Sequence, residues 1–220
     1  MKVNWIGHSG VIIEDQGKTI LIDPWITGNP VAKIKVEDIK KADVVFVSHG
    51  HGDHGFDDAV LICKNTGATF VGIFELANEA KGKGVETVIG GNVGGTAKAA
   101  DIEFVYTTAT HSTTVGVAVG FVIKLPSYTI FHPGDTGLFM DMKLLGELYD
   151  IDLAFLPIGS LYTMGPLEAA KALELLSCQK VVPIHYMTFP VLVQDAEEFK
   201  KIAGPMVDVI ALEPGEEIEI

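Results

Sequence analysis

The segment Ser48–Gly55, with the sequence SHGHGDHG, constrains this chain more than any other. It follows the apolar run at 44–47, which predicts a buried strand. His49 and His51 lie two positions apart, and a helix would direct them to nearly opposite sides. We therefore predict a loop at a strand end, in which glycines let the backbone turn tightly. Three imidazoles and a carboxylate in one such loop are typical ligands of zinc and neighbouring divalent metals.

Further candidate ligands follow other predicted strands. His111 comes after the run at 102–106, Asp135 after 128–131 and His185 after 181–184. Taken alone, each of these would more often be a buried polar group in a hydrogen-bond network. Together with the histidine-rich loop they predict a single metal site built from several strand ends.

The motif His-x-His-x-Asp-His after a strand, followed by a later His, Asp and His, resembles the signature of the metallo-β-lactamase superfamily. The segments at 5–10 (WIGHSG), 21–24 (LIDP) and 184–190 (IHYMTFP) resemble one branch of it, the small metal-dependent hydrolases near the ascorbate-6-phosphate lactonases. The resemblance covers the whole chain. It implies an α/β fold, a four-layer αββα sandwich of two mixed β-sheets with helices outside and the metal site at one edge between the sheets.

The same resemblance implies two divalent metal ions and assigns their ligands position by position. The first ion takes three histidines, the second an aspartate and two histidines, and one aspartate bridges them: His49, His51 and His111; Asp53, His54 and His185; and Asp135. A metal-bridging hydroxide would attack the substrate, and Asp53 would pass the proton to the leaving group. Zinc is the default metal, with manganese, iron and nickel as alternatives, because selectivity depends on geometry and availability.

Four other residues are expected near this site. Asp23 ends a strand, and the resemblance implies that it accepts the free N–H of a ligating histidine; an ordinary turn aspartate is the alternative. His8 would contact the substrate, support the metals or lie in a surface turn. His132 is expected to be structural rather than a ligand. Tyr162 suits the wall of a pocket for a small, partly apolar substrate, and loop packing is the alternative.

Strand-like and helix-like segments alternate along the chain, which predicts α/β layers in one domain over residues 1–220. Helices are predicted at 57–65, with Asp57 as N-cap, and at 74–80, 142–148, 166–176 and 196–202. Strands are predicted at 3–6, 11–14, 19–22, 43–47, 69–73, 85–89, 102–107, 115–124, 128–131, 153–157, 181–184, 207–212 and 217–220, and a loop at 90–95.

Charge limits the partners that the chain can recognise. The net charge is −13 and the chain has no arginine, so we expect a small-molecule substrate and no nucleic acid. No apolar run reaches the ~18 residues of a membrane span, and the N-terminus lacks the pattern of a signal peptide, so we expect no membrane and a cytoplasmic location. Apolar loops near the site could pair subunits, so a homo-oligomer is an alternative to a monomer.

We therefore predict a dinuclear metal-dependent hydrolase of a small ester, lactone, thioester or amide. One alternative is a phosphodiesterase on the same fold, which the lack of arginine disfavours. Another is an iron-dependent dioxygenase, which can retain the same histidine motif. A non-catalytic domain is disfavoured because no ligand of the pattern is missing.

Overall fold

Two mixed β-sheets form the centre of the computed structural model, which describes all 220 residues. Strands are numbered along the chain. The first sheet has the spatial order β14 (Glu217–Glu219), β1 (Lys2–Gly7), β2 (Gly10–Asp15), β3 (Lys18–Ile22), β4 (Val44–Phe46), β5 (Thr69–Ile73) and β6 (Val88–Gly91). The second has the order β13 (Asp208–Val209), β12 (Lys180–Ile184), β11 (Leu153–Pro157), β10 (Thr129–His132), β9 (Val119–Lys124), β8 (Ile102–Thr108) and β7 (Thr96–Ala99).

Both sheets combine an antiparallel half with a parallel half. In the first sheet the pairing is antiparallel from β14 to β3 and parallel from β3 to β6. In the second it is antiparallel from β7 to β10 and parallel from β10 to β13. Parallel neighbours need a crossover, which a helix usually supplies. The helices of the chain are α1 (Phe56–Thr66), α2 (Phe74–Gly82), α3 (Met142–Leu148), α4 (Pro166–Leu176) and α5 (Glu197–Ala203). The predicted sandwich of two mixed sheets with helices is confirmed.

Aromatic packing joins the two sheets. The ring of Phe46 on β4 lies 5.1 Å from that of Phe104 on β8 and 5.0 Å from that of Phe121 on β9. Every residue of β4 and β11 is buried, as expected for parallel strands covered on both faces. None of the helices is long and apolar enough to cross a membrane.

The boundaries that differ from prediction lie mostly at the margins of the sheets. The predicted strand at 85–89 is shifted: β6 begins at Val88 and runs to Gly91, into the predicted glycine-rich loop. The strand β7 is absent from the predicted strands, because its mostly exposed residues carry little hydrophobic signal and its order comes from pairing with β8. The strand predicted at 115–124 starts only at Val119.

The start of α1 also differs, because the metal-loop motif runs directly into the helix. A short 3₁₀ turn at Gly52–His54 is followed by Gly55 as N-cap, so Asp57 lies inside the first turn instead of capping it. Gly55 has a φ of 66°, and an added Cβ would lie 2.4 Å from the carbonyl carbon of Pro24. Only glycine fits this contact without a shift of the backbone.

The strand directions bring the predicted site residues to one edge. Since β1 and β3 both run antiparallel to β2, their C-terminal ends lie on the same side of the first sheet. The C-terminal ends of β8 and β10 likewise lie on one side of the second sheet, because both strands pair antiparallel with β9. A backbone hydrogen bond of 2.9 Å from the His185 N–H to the His8 carbonyl joins the two edges. The candidate site therefore lies where the sheets meet.

Candidate metal centre

The carboxylate of Asp135 lies among histidines that follow three different strands. Its Oδ2 atom is 3.0 Å from His185 Nε2, 3.2 Å from His54 Nε2 and 3.6 Å from His111 Nε2. Two ligands held about 2.0–2.2 Å from one ion at a near-tetrahedral angle are roughly 3.3–3.6 Å apart. The spacing in this cluster is therefore close to that of atoms able to share an ion.

Three groups of side chains bring their potential ligand atoms within 4.8 Å of one another: His49, His51 and His111; His49, His54 and Asp135; and His8, His54 and His185. The structure thus brings together the three residues predicted for the first ion. Of the residues predicted for the second ion, it brings together His54 and His185, and the third member of their group is His8. Asp53 belongs to none of the three groups, and its Oδ2 lies 3.4 Å from His8 Nε2.

Buried nitrogens without hydrogen-bond partners support a metal-binding role for this cluster. His54 Nε2 and His8 Nε2 have no partner although each lies near a carboxylate oxygen, because neither contact has hydrogen-bond geometry. Such atoms are rare in folded proteins and require an explanation. Imidazole and carboxylate are good ligands of zinc and related ions, and a bound cation would satisfy both nitrogens. The residues present therefore fit a divalent metal.

Asp23 lies beneath the metal loop, where the resemblance implies a supporting carboxylate. Its side chain is fully buried and accepts hydrogen bonds from the Ser48 N–H (2.7 Å), the Ser48 hydroxyl (2.7 Å) and His54 Nδ1–H (2.8 Å). The last contact places a proton of His54 on Nδ1, so Nε2 is the atom that faces the cluster and would bind an ion. This is the usual arrangement of a metal-binding histidine and its carboxylate partner.

The electrostatics of the cluster favour positive charge between its carboxylates. Burial disfavours the charged forms, but neighbouring charges outweigh it. His54 and His185 hold the pKa of Asp135 well below its usual range, and Asp135 and Asp23 raise the pKa of His54 well above its usual value. Burial, together with the nearby charge of His54, lowers the pKa of His49 to about 2. His49 is therefore a neutral imidazole, the form that binds metals.

His8 follows β1 and lies inside the cluster, not in a surface turn. Its side chain is fully buried, and its ring centroid lies 3.9 Å from that of His185. Its Nδ1 lies 3.1 Å from the hydroxyl of Thr188. Its backbone carbonyl accepts hydrogen bonds from the Trp5 indole N–H and the His185 N–H, both 2.9 Å long.

His132 is buried, and both of its ring nitrogens have partners. The Gly134 N–H donates to Nδ1 at 3.2 Å, so Nε2 carries the proton and donates to the Ser9 carbonyl at 3.0 Å. Ser9 in turn donates its hydroxyl to Asp135 Oδ1 at 3.4 Å. His132 thus supports the turn that holds Asp135, and it has no free nitrogen for an ion.

A cavity of about 750 Å³ opens above the cluster. Asp53, His111 and Asp135 form part of its floor, while Tyr162 and Val191 form part of its wall. Tyr162 is 55% exposed, so it is available for contact with a bound molecule. No lysine lines the cavity.

Three small polar residues that the sequence does not single out complete the site: Ser9, Ser48 and Thr188. Each contacts an expected site residue: Ser48 contacts Asp23, Ser9 contacts Asp135 and Thr188 contacts His8. Serine and threonine are common everywhere, so residue type gives no signal. The only available signal is adjacency, because Ser9 follows His8 and Ser48 precedes His49.

Comparison with known proteins identifies relatives of this chain. The model of the family described as "Beta-lactamase superfamily domain" matches residues 2–185. UPF0173 metal-dependent hydrolases of Korarchaeum cryptofilum and Geobacillus thermodenitrificans are each 48% identical to it over the full length of both chains. The structure of Igni18, a metallo hydrolase from Ignicoccus hospitalis, is 41% identical with a TM-score of 0.91, covering 99% of this chain and 97% of its own. An isothiocyanate hydrolase from Delia radicum gut bacteria shares the fold, with 19% identity and a TM-score of 0.80 over 100% of this chain and 99% of its own.

Proposed function

Because the chain belongs to the metallo-β-lactamase superfamily, and within it to a family of metal-dependent hydrolases, we propose that it hydrolyses a small ester, lactone, thioester or amide with two divalent metal ions. One observation carries the proposal. Imidazole nitrogens and a buried carboxylate converge at the floor of an open cavity, with ligand spacing and with nitrogens that lack other partners. In a purely structural polar network, the large majority of buried nitrogens have hydrogen-bond partners.

The residues that would hold the ions follow from the clusters. His49, His51 and His111 would bind the first ion, Asp135 would lie between the two, and His54 and His185 would bind the second. Asp53 remains a predicted ligand of the second ion. When bound, two such ions lower the pKa of a water molecule held between them and stabilise negative charge on the substrate oxygen. We propose zinc as the default, as the ligand types suit it.

Asp53 is the group we propose for proton transfer. Its carboxylate is 30% exposed at the cavity floor, whereas Asp135 is almost fully buried. A carboxylate there can take a proton released at the cluster and give it to the leaving group. An Asp53→Asn variant that kept its metals and its full turnover would remove this role.

The cavity wall favours an uncharged substrate over a phosphodiester. Tyr162 and Val191 offer apolar surface, and Phe189 lies beside them. A phosphate group is usually held by arginine, lysine or backbone N–H groups. Since no lysine lines the cavity and the chain has no arginine, the observations support an acyl substrate.

The test is elemental analysis of protein purified without added metal, followed by a screen of esters, lactones, thioesters, amides and phosphodiesters. The matched variant is His111→Ala, which removes one imidazole of the first ligand group; this side chain is 12% exposed. About two zinc or manganese ions per chain, fewer in the variant, together with hydrolysis of an acyl substrate, are expected. One iron per chain with oxygen consumption would indicate a dioxygenase. No metal after reconstitution would refute the proposal.

A further inference from the structure

The hydrogen bonds of Thr188 determine which nitrogen of His8 carries the proton. The Thr188 hydroxyl donates to the carbonyl of Tyr186 at 3.1 Å. Having used its only hydrogen, the hydroxyl oxygen can only accept from His8 Nδ1–H, which lies 3.1 Å away. In a neutral imidazole with the proton on Nδ1, the Nε2 atom has a free lone pair.

This lone pair faces other acceptors. His8 Nε2 lies 3.4 Å from Asp53 Oδ2, and a carboxylate oxygen cannot donate a hydrogen bond. The nitrogen is buried and has no partner. A ring nitrogen of His8 also lies within 4.8 Å of ligand atoms of His54 and His185. Two acceptors held this close in a buried site repel each other unless a cation lies between them.

The backbone holds His8 in this position at an energetic cost. His8 has a φ of 57°, a left-handed conformation that is strained in a residue other than glycine. Its carbonyl is fixed by hydrogen bonds from Trp5 and His185. Strain of this kind is characteristic of functional sites, where surrounding structure maintains it.

We propose that His8 is a metal ligand, and that its Nε2 binds the same ion as His54 and His185. The inference rests on the proposed metal-dependent function and adds a residue to it. The second ion would then be held by three imidazoles and Asp135, together with Asp53, whose Oδ2 lies 3.4 Å from His8 Nε2.

The variant that tests this is His8→Asn. Asparagine tolerates the left-handed backbone conformation better than most residues, so the turn is retained, but its side chain is too short to reach the cluster. Metal-free protein is titrated with Zn²⁺ against a chromophoric chelator, and thermal unfolding is recorded alongside. Loss of a residue that merely supports a ligand weakens metal binding about 10–100-fold. We expect the second ion to bind at least about 100-fold more weakly in the variant and the first ion to bind as in the wild type.

A second measurement needs no variant that might fail to fold. Wild-type protein labelled with ¹⁵N-histidine is loaded with ¹¹³Cd²⁺, and the scalar couplings between cadmium and ring nitrogens are recorded. A coupling to His8 Nε2 supports the proposal. If His8 Nε2 is protonated and uncoupled, His8 donates to Asp53 and the proposal is wrong. The same conclusion follows if His8→Asn binds both ions with wild-type affinity. Failure of the wild type to bind any metal would overturn the proposed function as well, so the two failures are distinguishable.

Discussion

Replacing Asp23 by asparagine should weaken metal binding through a residue that does not touch the metal. Asp23 accepts the proton of His54 Nδ1 at 2.8 Å and two hydrogen bonds from Ser48. In the Asp23→Asn variant an amide oxygen would accept from Ser48, and the new NH₂ group would face His54 Nδ1. An NH₂ group can only donate, so the proton of His54 would move to Nε2, the atom proposed to bind metal.

The size of this effect follows from the loss of one supporting partner. We expect the ion at His54 to bind about 10–100-fold more weakly, which is about 1.4–2.7 kcal/mol. In the presence of a chelator the same variant loses a hydrogen bond to a charged group, about 1.5–3 kcal/mol. For a chain of this length that corresponds to a decrease in Tm of roughly 3–12 °C. Zn²⁺ competition titration and thermal unfolding measure the two effects separately.

The matched control is Asp58→Asn. Asp58 is another buried carboxylate, and it accepts the backbone N–H groups of Ile26 (2.8 Å) and Thr27 (2.7 Å) without contacting a histidine. Its variant should lose stability but retain wild-type metal affinity. If Asp23→Asn bound two ions with wild-type affinity, the argument that Asp23 fixes the tautomer of His54 would be refuted.

Three further predictions concern the loop, the interior and the cavity wall. Gly55→Ala should destabilise the fold by about 2–4 kcal/mol in urea unfolding, because the new Cβ would lie 2.4 Å from Pro24 at a positive φ; Gly52→Ala, which meets open space, should change stability by less than about 0.5 kcal/mol. Burial raises the pKa of the Cys63 thiol to about 12, so at about pH 8 it is protonated in the native protein and should react with a thiol reagent only after unfolding; rapid labelling of the folded chain would contradict this. Tyr162→Ala should raise KM for an apolar substrate about five- to tenfold with little change in kcat, and a collapse of kcat alone would exclude a role limited to the cavity wall.

The central part of the fold could be predicted because its strands carry a strong local signal. Strands such as β4 and β11 are continuous apolar runs, since both of their faces are covered. The strand β7 could not be predicted, because its sequence Thr-Ala-Lys-Ala is mostly exposed and its conformation depends on pairing with β8. The predicted N-cap of α1 at Asp57 is wrong because a left-handed glycine, not a polar side chain, occupies that position of the helix.

The candidate site was predictable to the extent that residue type and order along the chain define it. The loop around His49 is dense enough to indicate a metal site, and strand ends point to the remaining residues. The place of His8 beside His54 and His185 was not predictable, because it depends on the directions of side chains. The resemblance assigns Asp53, His54 and His185 to the second ion, and the folded structure places His8 beside His54 and His185. The contact between His8 and Thr188 spans 180 positions and has no local signature.

The site and the interface between the sheets are one structure. His8 and His54 lie at the edge of the first sheet and Asp135 and His185 at the edge of the second, so any shared ion would join the two. His8, Asp23 and His185 all have positive φ, and each such residue costs about 1–3 kcal/mol. The core of 60 buried hydrophobic residues, rather than the ion, can offset that cost, because it spans both sheets. The metal-free chain should therefore keep its fold with the ligands already in position. Added metal should then raise its stability only by mass action, by about 4 kcal/mol for each bound ion at roughly a thousandfold excess over Kd.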